Sequence, residues 1–196
     1  IVRYFAERDG LPVKLLPEPP RGLRMRVLGP SAARLTWQAG ESGGVFGDPA
    51  GWYLVQRSAD GRGFDDGQIV QGTTLDLTLS GSGNPVFVRV LAVNNGGISL
   101  PSAVLGGSSG CTEQALALVV QGFTRLDAGQ MPVDNLSPWS LGSVQRLRQW
   151  RMNRFDHTIE HVLGLAAAGV SVDTMERGAV LSLAPGILVV VTSFTR

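Results

Sequence analysis

The sequence lacks three features that would point to a function class at once. It has a single cysteine, Cys111, so it can form neither an intrachain disulfide nor a cysteine-based zinc knuckle. It has no basic surplus, because 17 Lys and Arg residues face 16 Asp and Glu residues, whereas nucleic-acid domains usually need a surplus to neutralise phosphates. No window of about 18 apolar residues predicts a membrane-spanning helix. We therefore expect no nucleic-acid partner and no membrane span.

Lysine is almost absent as well, since Lys14 is the only one in the chain. The dominance of arginine suggests a GC-rich, bacterial coding sequence. The first residues, 1–5, include no initiator methionine and no basic leader, so they do not form a signal peptide. These features predict a piece of a longer chain.

Glycine and proline are abundant, at 26 and 11 of 196 residues. Helical bundles tolerate little of either, so this composition favours turn-rich β structure. Between residues 21 and 106, short alternating stretches separated by Gly-, Asn- and Ser-rich turns predict an antiparallel sandwich of the immunoglobulin type. The seven predicted strands are 21–28, 32–38, 52–58, 68–70, 74–79, 86–94 and 99–105.

The same region resembles a fibronectin type III domain. The resemblance is carried by the Pro-Glu-Pro-Pro entry at 17–20, Ala-Arg-Leu-Thr-Trp at 33–37, Trp-Tyr-Leu-Val-Gln-Arg-Ser at 52–58 and the stretch 88–97. It implies that Trp37 is the core tryptophan. The tyrosine usual in that family, two residues before Val88, is replaced here by Val86.

A change of pattern after residue 114 predicts a second, α/β part. The apolar run 115–120 and the run 187–191 are typical of strands buried on both faces, and apolar spacing between Ser143 and Ala168 predicts one long helix, which Asn153 could divide, with Gly169 as its C-terminal cap. The predicted organisation is a helix at 1–10, a Pro-rich linker at 11–20, the sandwich at 21–106, a linker at 107–114 and a small, incomplete α/β domain at 115–196.

A narrower resemblance covers the order of these segments. The first ten residues are similar to the last helix of bacterial zinc-dependent N-acetylmuramoyl-L-alanine amidases, and the Gly-Arg-Gly-Phe-Asp-Asp-Gly hairpin at 61–67, the stretch 119–126 and the stretch 151–157 follow as in secreted proteins of that group and of the xanthan-lyase-like group. The resemblance implies a secreted or cell-envelope location. The amidase's zinc ligands and catalytic Glu would precede Ile1, so none of them is assigned here.

One spacing could carry chemistry on its own. In His157-Thr158-Ile159-Glu160-His161 the two histidines share a helix face and could bind one zinc ion, with Glu160 as the catalytic group that polarises a bound water. No third histidine exists. The alternative is a helix with two surface or half-buried histidines, and no cofactor.

Two further clusters have functional and plain structural interpretations. Four arginines, Arg146, Arg148, Arg151 and Arg154, could form an anion site or simply a solvated helix face. Three aspartates in the hairpin after Ser58, at positions 60, 65 and 66, could bind calcium or stabilise an ordinary turn.

The sequence as a whole contains no complete catalytic constellation, so enzymatic activity of this chain stays undecided. We expect a non-catalytic accessory or targeting region of a cell-wall hydrolase. Trp52 and Tyr53 are candidates for stacking against peptidoglycan or another glycan, although strand alternation turns one of the pair inward. The alternatives are a metal-dependent hydrolase using the His-x-x-Glu-His helix, and a protein–protein interaction module that forms a homo-oligomer through the α/β edge strand 187–191.

Overall fold

The computed structural model describes residues 13–43, 46–79, 83–110, 117–122, 133–140, 142–145, 157–179 and 188–192. The predicted helix at 1–10 and the first two residues of the predicted Pro-rich linker, 11–12, therefore lie outside the described part. Within that part, no helix has both the length and the hydropathy required to span a bilayer.

The first part of the chain is a sandwich of two antiparallel sheets. One sheet contains β1 (Arg21–Gly29), β2 (Ala32–Gln38) and β5 (Thr74–Thr78), paired in that order. The other contains β4 (Gln68–Val70), β3 (Trp52–Ser58), β6 (Val86–Asn94) and β7 (Gly97–Ile98), and β8 (Leu105–Gly107) also pairs with β6. This strand order confirms the predicted immunoglobulin-like sandwich.

Period-two alternation accounts for the sandwich core. Leu77, Val88 and Val90 are at most 2% exposed, as the predicted strand faces require. Trp37 is 4% exposed, and its ring meets the ring of Tyr53 edge to face with centroids 5.4 Å apart. The predicted core tryptophan is therefore confirmed.

The seventh predicted strand, 99–105, is wrong as a continuous element. Pro101 has no N–H to donate to a ladder, which interrupts the strand between β7 and β8. Two serine hydroxyls take over part of the pairing, because Ser99 Oγ accepts from Ala92 N at 2.9 Å and Ser102 Oγ accepts from Val90 N at 3.0 Å.

The second part contains a parallel sheet with one described helix. β9 (Ala117–Gln121) lies between β12 (Val172–Glu176) and β13 (Leu188–Thr192) and runs parallel to both, as expected of βαβ connections. Helix α1 spans His157–Ala167 and is followed by Gly169 at φ +76°, which confirms the predicted glycine at its end.

Two predictions about this part are wrong in detail. The long helix cannot begin at Ser143, because β11 (Ser143–Gln145) pairs antiparallel with β10 (Val133–Asn135), just before a short 3-10 helix, Ser137–Trp139. The sequence reading also missed β12. Its segment, Val-Asp-Thr-Met-Glu, contains polar residues and therefore lacks the apolar run that would predict a buried strand.

β12 joins the two parts into one six-stranded sheet in the order β13-β9-β12-β1-β2-β5. Its backbone pairs antiparallel with β1, and its side chains reach β8 and the segment before it: Thr174 Oγ1 accepts from Gly106 N at 3.1 Å, and Glu176 Oε1 accepts from Ala103 N at 3.2 Å. The predicted boundary between residues 106 and 107 falls inside β8, and Ser108, the next residue, forms an isolated antiparallel bridge with Val172. β12 therefore connects β1 of one sheet with β8 of the other at this side of the sandwich.

A second apolar cluster forms where the α/β part meets the sandwich. Phe87 of β6 points away from the sandwich core and is fully buried among α1, β9 and β12. The other members of this cluster are Val119, Ile159, Val162 and Val172. The helix thereby covers the outer side of the β6–β8 sheet.

Candidate ligand groove at the loop end of the sandwich

The two ends of β3 have different surroundings. β3 has seven residues, so its ends lie about 20 Å apart at the usual rise per residue. Beyond Ser58 the chain enters a hairpin that contacts α1. Before Trp52 it passes through the 39–51 loop, whose residues 48–51 lie beside the turn between β6 and β7.

The residue pair at the start of β3 divides between core and surface. Tyr53 is 5% exposed and belongs to the core, where burial raises the pKa of its phenol. Trp52 is 42% exposed and pairs with Val93. The expected inward member of the pair is therefore Tyr53, which leaves Trp52 as the accessible aromatic ring.

Trp52 lines an open groove of about 350 Å³. The groove lies between the 39–51 loop, the β6–β7 turn and the segment that enters β1. Its lining residues are Lys14, Asp48, Pro49, Ala50, Gly51, Trp52, Asn94 and Asn95.

Hydrogen bonds from two polar side chains build one wall of this groove. Asp48 Oδ2 accepts from Leu15 N at 2.9 Å, and Asn94 Nδ2 donates to Leu15 O at 2.8 Å. The same Asn94 side chain accepts from Gly96 N at 2.8 Å. Asp48 and Asn94 thus hold the incoming backbone in place beside Trp52.

The close approach of the incoming segment depends on glycine. A Cβ at Gly96 would lie 2.9 Å from Lys14 O, and a Cβ at Gly47 would lie 1.7 Å from Leu16 O. Only residues without a side chain allow the backbone to pass so near. The segment around Lys14 is therefore part of the groove and no loose linker.

The groove offers recognition chemistry. Trp52 presents an aromatic face, Asn95 an exposed amide and Lys14 an exposed ammonium. Sequence reasoning found Trp52 and missed Lys14, Asp48, Asn94 and Asn95. The Asn-Asn-Gly-Gly turn was the available signal, but nothing in the sequence shows that the distant Lys14 and Asp48 meet it.

The opposite end of β3 uses its polar groups to form the hairpin. Asp60 Oδ1 accepts from Arg62 N at 2.8 Å and Gly63 N at 2.9 Å, and these bonds lower the pKa of that carboxyl to about 2. Asp65 Oδ1 accepts from Arg57 N at 2.8 Å. Both carboxylates thus stabilise the turn, which agrees with the plain structural interpretation.

Helix α1 carries the His-x-x-Glu-His motif on its exposed side. His157 and His161 are exposed, and Glu160 Oε1 accepts from Arg62 Nη2 at 2.8 Å. Among the described residues, no three His, Cys, Asp or Glu side chains converge on a point that could hold a metal ion. The zinc hypothesis therefore finds no third ligand in this part of the chain.

The two acids that follow the motif in β12, Asp173 and Glu176, are directed at the sandwich. Asp173 Oδ1 accepts from Val27 N at 2.6 Å, and Glu176 Oε2 accepts from Leu23 N at 3.1 Å. Burial raises the pKa of Asp173 to about 6, although Arg24 and Arg26 act in the opposite direction. Both acids thus belong to the seam with β1.

The arginine cluster, Arg146, Arg148, Arg151 and Arg154, lies outside the described residues. The anion-site hypothesis for these four side chains stays a prediction.

Comparison with known proteins finds solved fibronectin type III structures that are similar to about half of the chain. No protein-family model and no curated protein matches the chain. A Fn3-like protein from Clostridium thermocellum is 30% identical over 46% of this chain and 90% of its own, with a TM-score of 0.39. A human fibronectin type III domain is 14% identical over 53% and 91%, with a TM-score of 0.42.

A crystal structure of several titin domains is also similar, with 22% identity over 45% of this chain and a TM-score of 0.38. The chain spans only 30% of the length of that structure. The fold assignment accordingly rests on the strand order and register within this chain, which are those of an immunoglobulin-like sandwich followed by an α/β part.

Proposed function

We propose that this chain is a non-catalytic interaction module whose Trp52 groove binds a glycan. The observation that carries the proposal is an exposed tryptophan at the end of the sandwich that the α/β part leaves uncovered. An exposed aromatic ring rimmed by polar groups is typical of a binding surface.

The chemistry of the groove favours a sugar over an apolar peptide side chain. One face of a pyranose ring carries C–H bonds that are polarised by the neighbouring oxygens, and these are attracted to the negative face of an aromatic ring. The hydroxyls at the edge of the sugar need donors and acceptors, which the amide of Asn95 supplies beside Trp52. The groove is open and shallow enough for one such ring.

The carboxylates that the sequence offered for catalysis or metal binding support a non-catalytic role. Glu160 is paired with Arg62, and Asp60 accepts hydrogen bonds from its own turn. A general acid or base must be within hydrogen-bond reach of a substrate, whereas these carboxylates face protein partners.

We extend the proposal to the parent protein and its location. The order of motifs resembles the region downstream of bacterial N-acetylmuramoyl-L-alanine amidases, so the glycan we propose is peptidoglycan and the location is the cell envelope or outside the cell. The module would then position a hydrolase on its polymer.

The test compares two exposed tryptophans. Trp52 lies in the groove, whereas Trp139 is 68% exposed on the 3-10 helix outside it. We expect Trp52→Ala to weaken co-sedimentation with purified peptidoglycan about three- to tenfold, as the loss of one aromatic contact implies, while Trp139→Ala leaves it unchanged. Equal binding by both variants and the parent would refute the proposal.

A second candidate is self-association through β13. Leu188 is 58% exposed and Val189 is 40% exposed on the last strand of the described sheet. Exposed apolar residues on an edge strand favour pairing with another chain. Light scattering at two dilutions should show a dimer that Val189→Lys converts to monomer; a monomer at both dilutions would contradict this candidate.

A further inference from the structure

We propose that the groove selects a sugar bearing a free carboxylate, with Lys14 as the group that distinguishes acidic from neutral sugars. This inference rests on the proposed glycan function and adds the charge of the ligand. It starts from the position of the only lysine in the chain.

Leu15, the residue that follows Lys14, is held at both its backbone N–H and its carbonyl oxygen. Leu15 N donates to Asp48 Oδ2 at 2.9 Å, and Leu15 O accepts from Asn94 Nδ2 at 2.8 Å. Gly96 leaves room for Lys14 O to approach. A residue held in this way spends less conformational entropy when its side chain engages a ligand.

The ammonium of Lys14 is available to a ligand. Its side chain is exposed at the rim of the groove, and no ion pair or hydrogen bond joins the ammonium to another residue of the described segments. Lys14 and Trp52 line the same groove, so a sugar stacked on Trp52 would lie beside this rim. A carboxylate there gains a charge-assisted hydrogen bond that a hydroxyl lacks.

The negative charge of Asp48 leads to a second prediction about affinity for an acidic sugar. One of its carboxylate oxygens is committed to Leu15 N, yet its negative charge remains in the lining and opposes an anionic ligand. Asn at this position keeps an oxygen for Leu15 N and removes the charge. Lys14→Gln and Asp48→Asn should therefore change affinity for an acidic sugar in opposite directions.

The experiment uses two tetrasaccharides that differ in one group. The neutral probe contains N-acetylglucosamine only, and the acidic probe alternates it with N-acetylmuramic acid whose lactyl carboxylate is free. At low salt we expect the acidic probe to bind about threefold tighter, as an exposed charge contact allows. High salt should remove the difference.

The variants then assign that difference to Lys14. Lys14→Gln should abolish the preference, Lys14→Arg should keep it, and Asp48→Asn should increase it. Reductive methylation of the parent with labelled formaldehyde provides a direct readout, because Lys14 gives the only side-chain dimethylamine signal. That signal should shift with the acidic probe and stay in place with the neutral one.

The possible outcomes distinguish the preference for acidic sugars from the glycan binding on which it rests. If Trp52→Ala weakens both probes and Lys14→Gln changes neither, glycan binding stands and the preference for acid is overturned. If neither probe binds, or Trp52→Ala has no effect on either, both proposals fail.

Discussion

The two ends of the sandwich show what the same kind of loop does in different surroundings. At the hairpin end, Gly61 lies against Ile159 and Arg62 pairs with Glu160, so the loop is packed against α1. At the other end, the 39–51 loop and the β6–β7 turn clamp the incoming segment and leave Trp52 exposed. The first end stabilises the fold, and the second leaves surface for a ligand.

The second apolar cluster is the strongest element of the covered end. Phe87→Ala removes a ring that is 0% exposed there, and such truncations destabilise proteins by about 3–5 kcal/mol. We expect a loss of this size in denaturant unfolding, with glycan binding retained by the folded fraction. A loss below about 1 kcal/mol would show that α1 does not pack on β6, and Trp139→Ala, at an exposed site, serves as the neutral reference.

The buried carboxyl of the seam gives a pH-dependent test. Asp173 has a folded pKa of about 6, above its ordinary value of 3.8, so its stabilising contribution is full below pH 3.8 and is lost as the pH rises through 6. A shift of this size corresponds to about 3 kcal/mol.

Asp173→Asn tests that contribution directly, because its amide oxygen still accepts from Val27 N. The variant should be more stable than the parent at pH 7.5 and equal to it below pH 3.8, as measured by thermal unfolding across that range. A pH-independent difference between the two proteins would contradict the assignment to Asp173.

A matched pair of glycines separates backbone strain from helix contact. Gly61 (φ +74°) and Gly72 (φ +98°) both have left-handed backbones, but a Cβ would lie 2.7 Å from Ile159 at Gly61 and would meet nothing within 4 Å at Gly72. Gly72→Ala should destabilise by about 1 kcal/mol through strain alone, and Gly61→Ala by about 2–3 kcal/mol, since it also displaces α1. Equal losses in chemical denaturation would mean that the hairpin does not support the helix.

The smallest expected effect concerns the ion pair at the covered end. Arg62 Nη2 and Glu160 Oε1 lie 2.8 Å apart, with both side chains about 60% exposed. Exposed pairs contribute less than about 1 kcal/mol, and salt screens them. A double-mutant cycle with Arg62→Ala and Glu160→Ala should give a coupling in that range, and a larger, salt-independent value would indicate that the pair is effectively buried.

Local patterns in the sequence were sufficient for much of the sandwich. Alternation placed β2, β3 and β6 at their observed bounds, because a strand half-buried in a sandwich has a period of two. Local patterns failed for a strand whose hydrogen-bond partners lie far away along the chain. β12 contains Asp173, Thr174 and Glu176, whose burial is compensated by hydrogen bonds to β1 and β8, and no local pattern shows those partners.

The candidate site, like the fold, was predictable from the sequence only in part. The sequence alone determined that one of Trp52 and Tyr53 faces solvent, since successive side chains in a strand point to opposite faces. Only the tertiary structure decided that the exposed residue is Trp52, and that Lys14, Asp48 and Asn94 meet beside it. Leu15 forms hydrogen bonds with Asp48, 33 positions away, and with Asn94, 79 positions away. No local sequence pattern predicts these contacts, because they depend on how the whole sandwich folds.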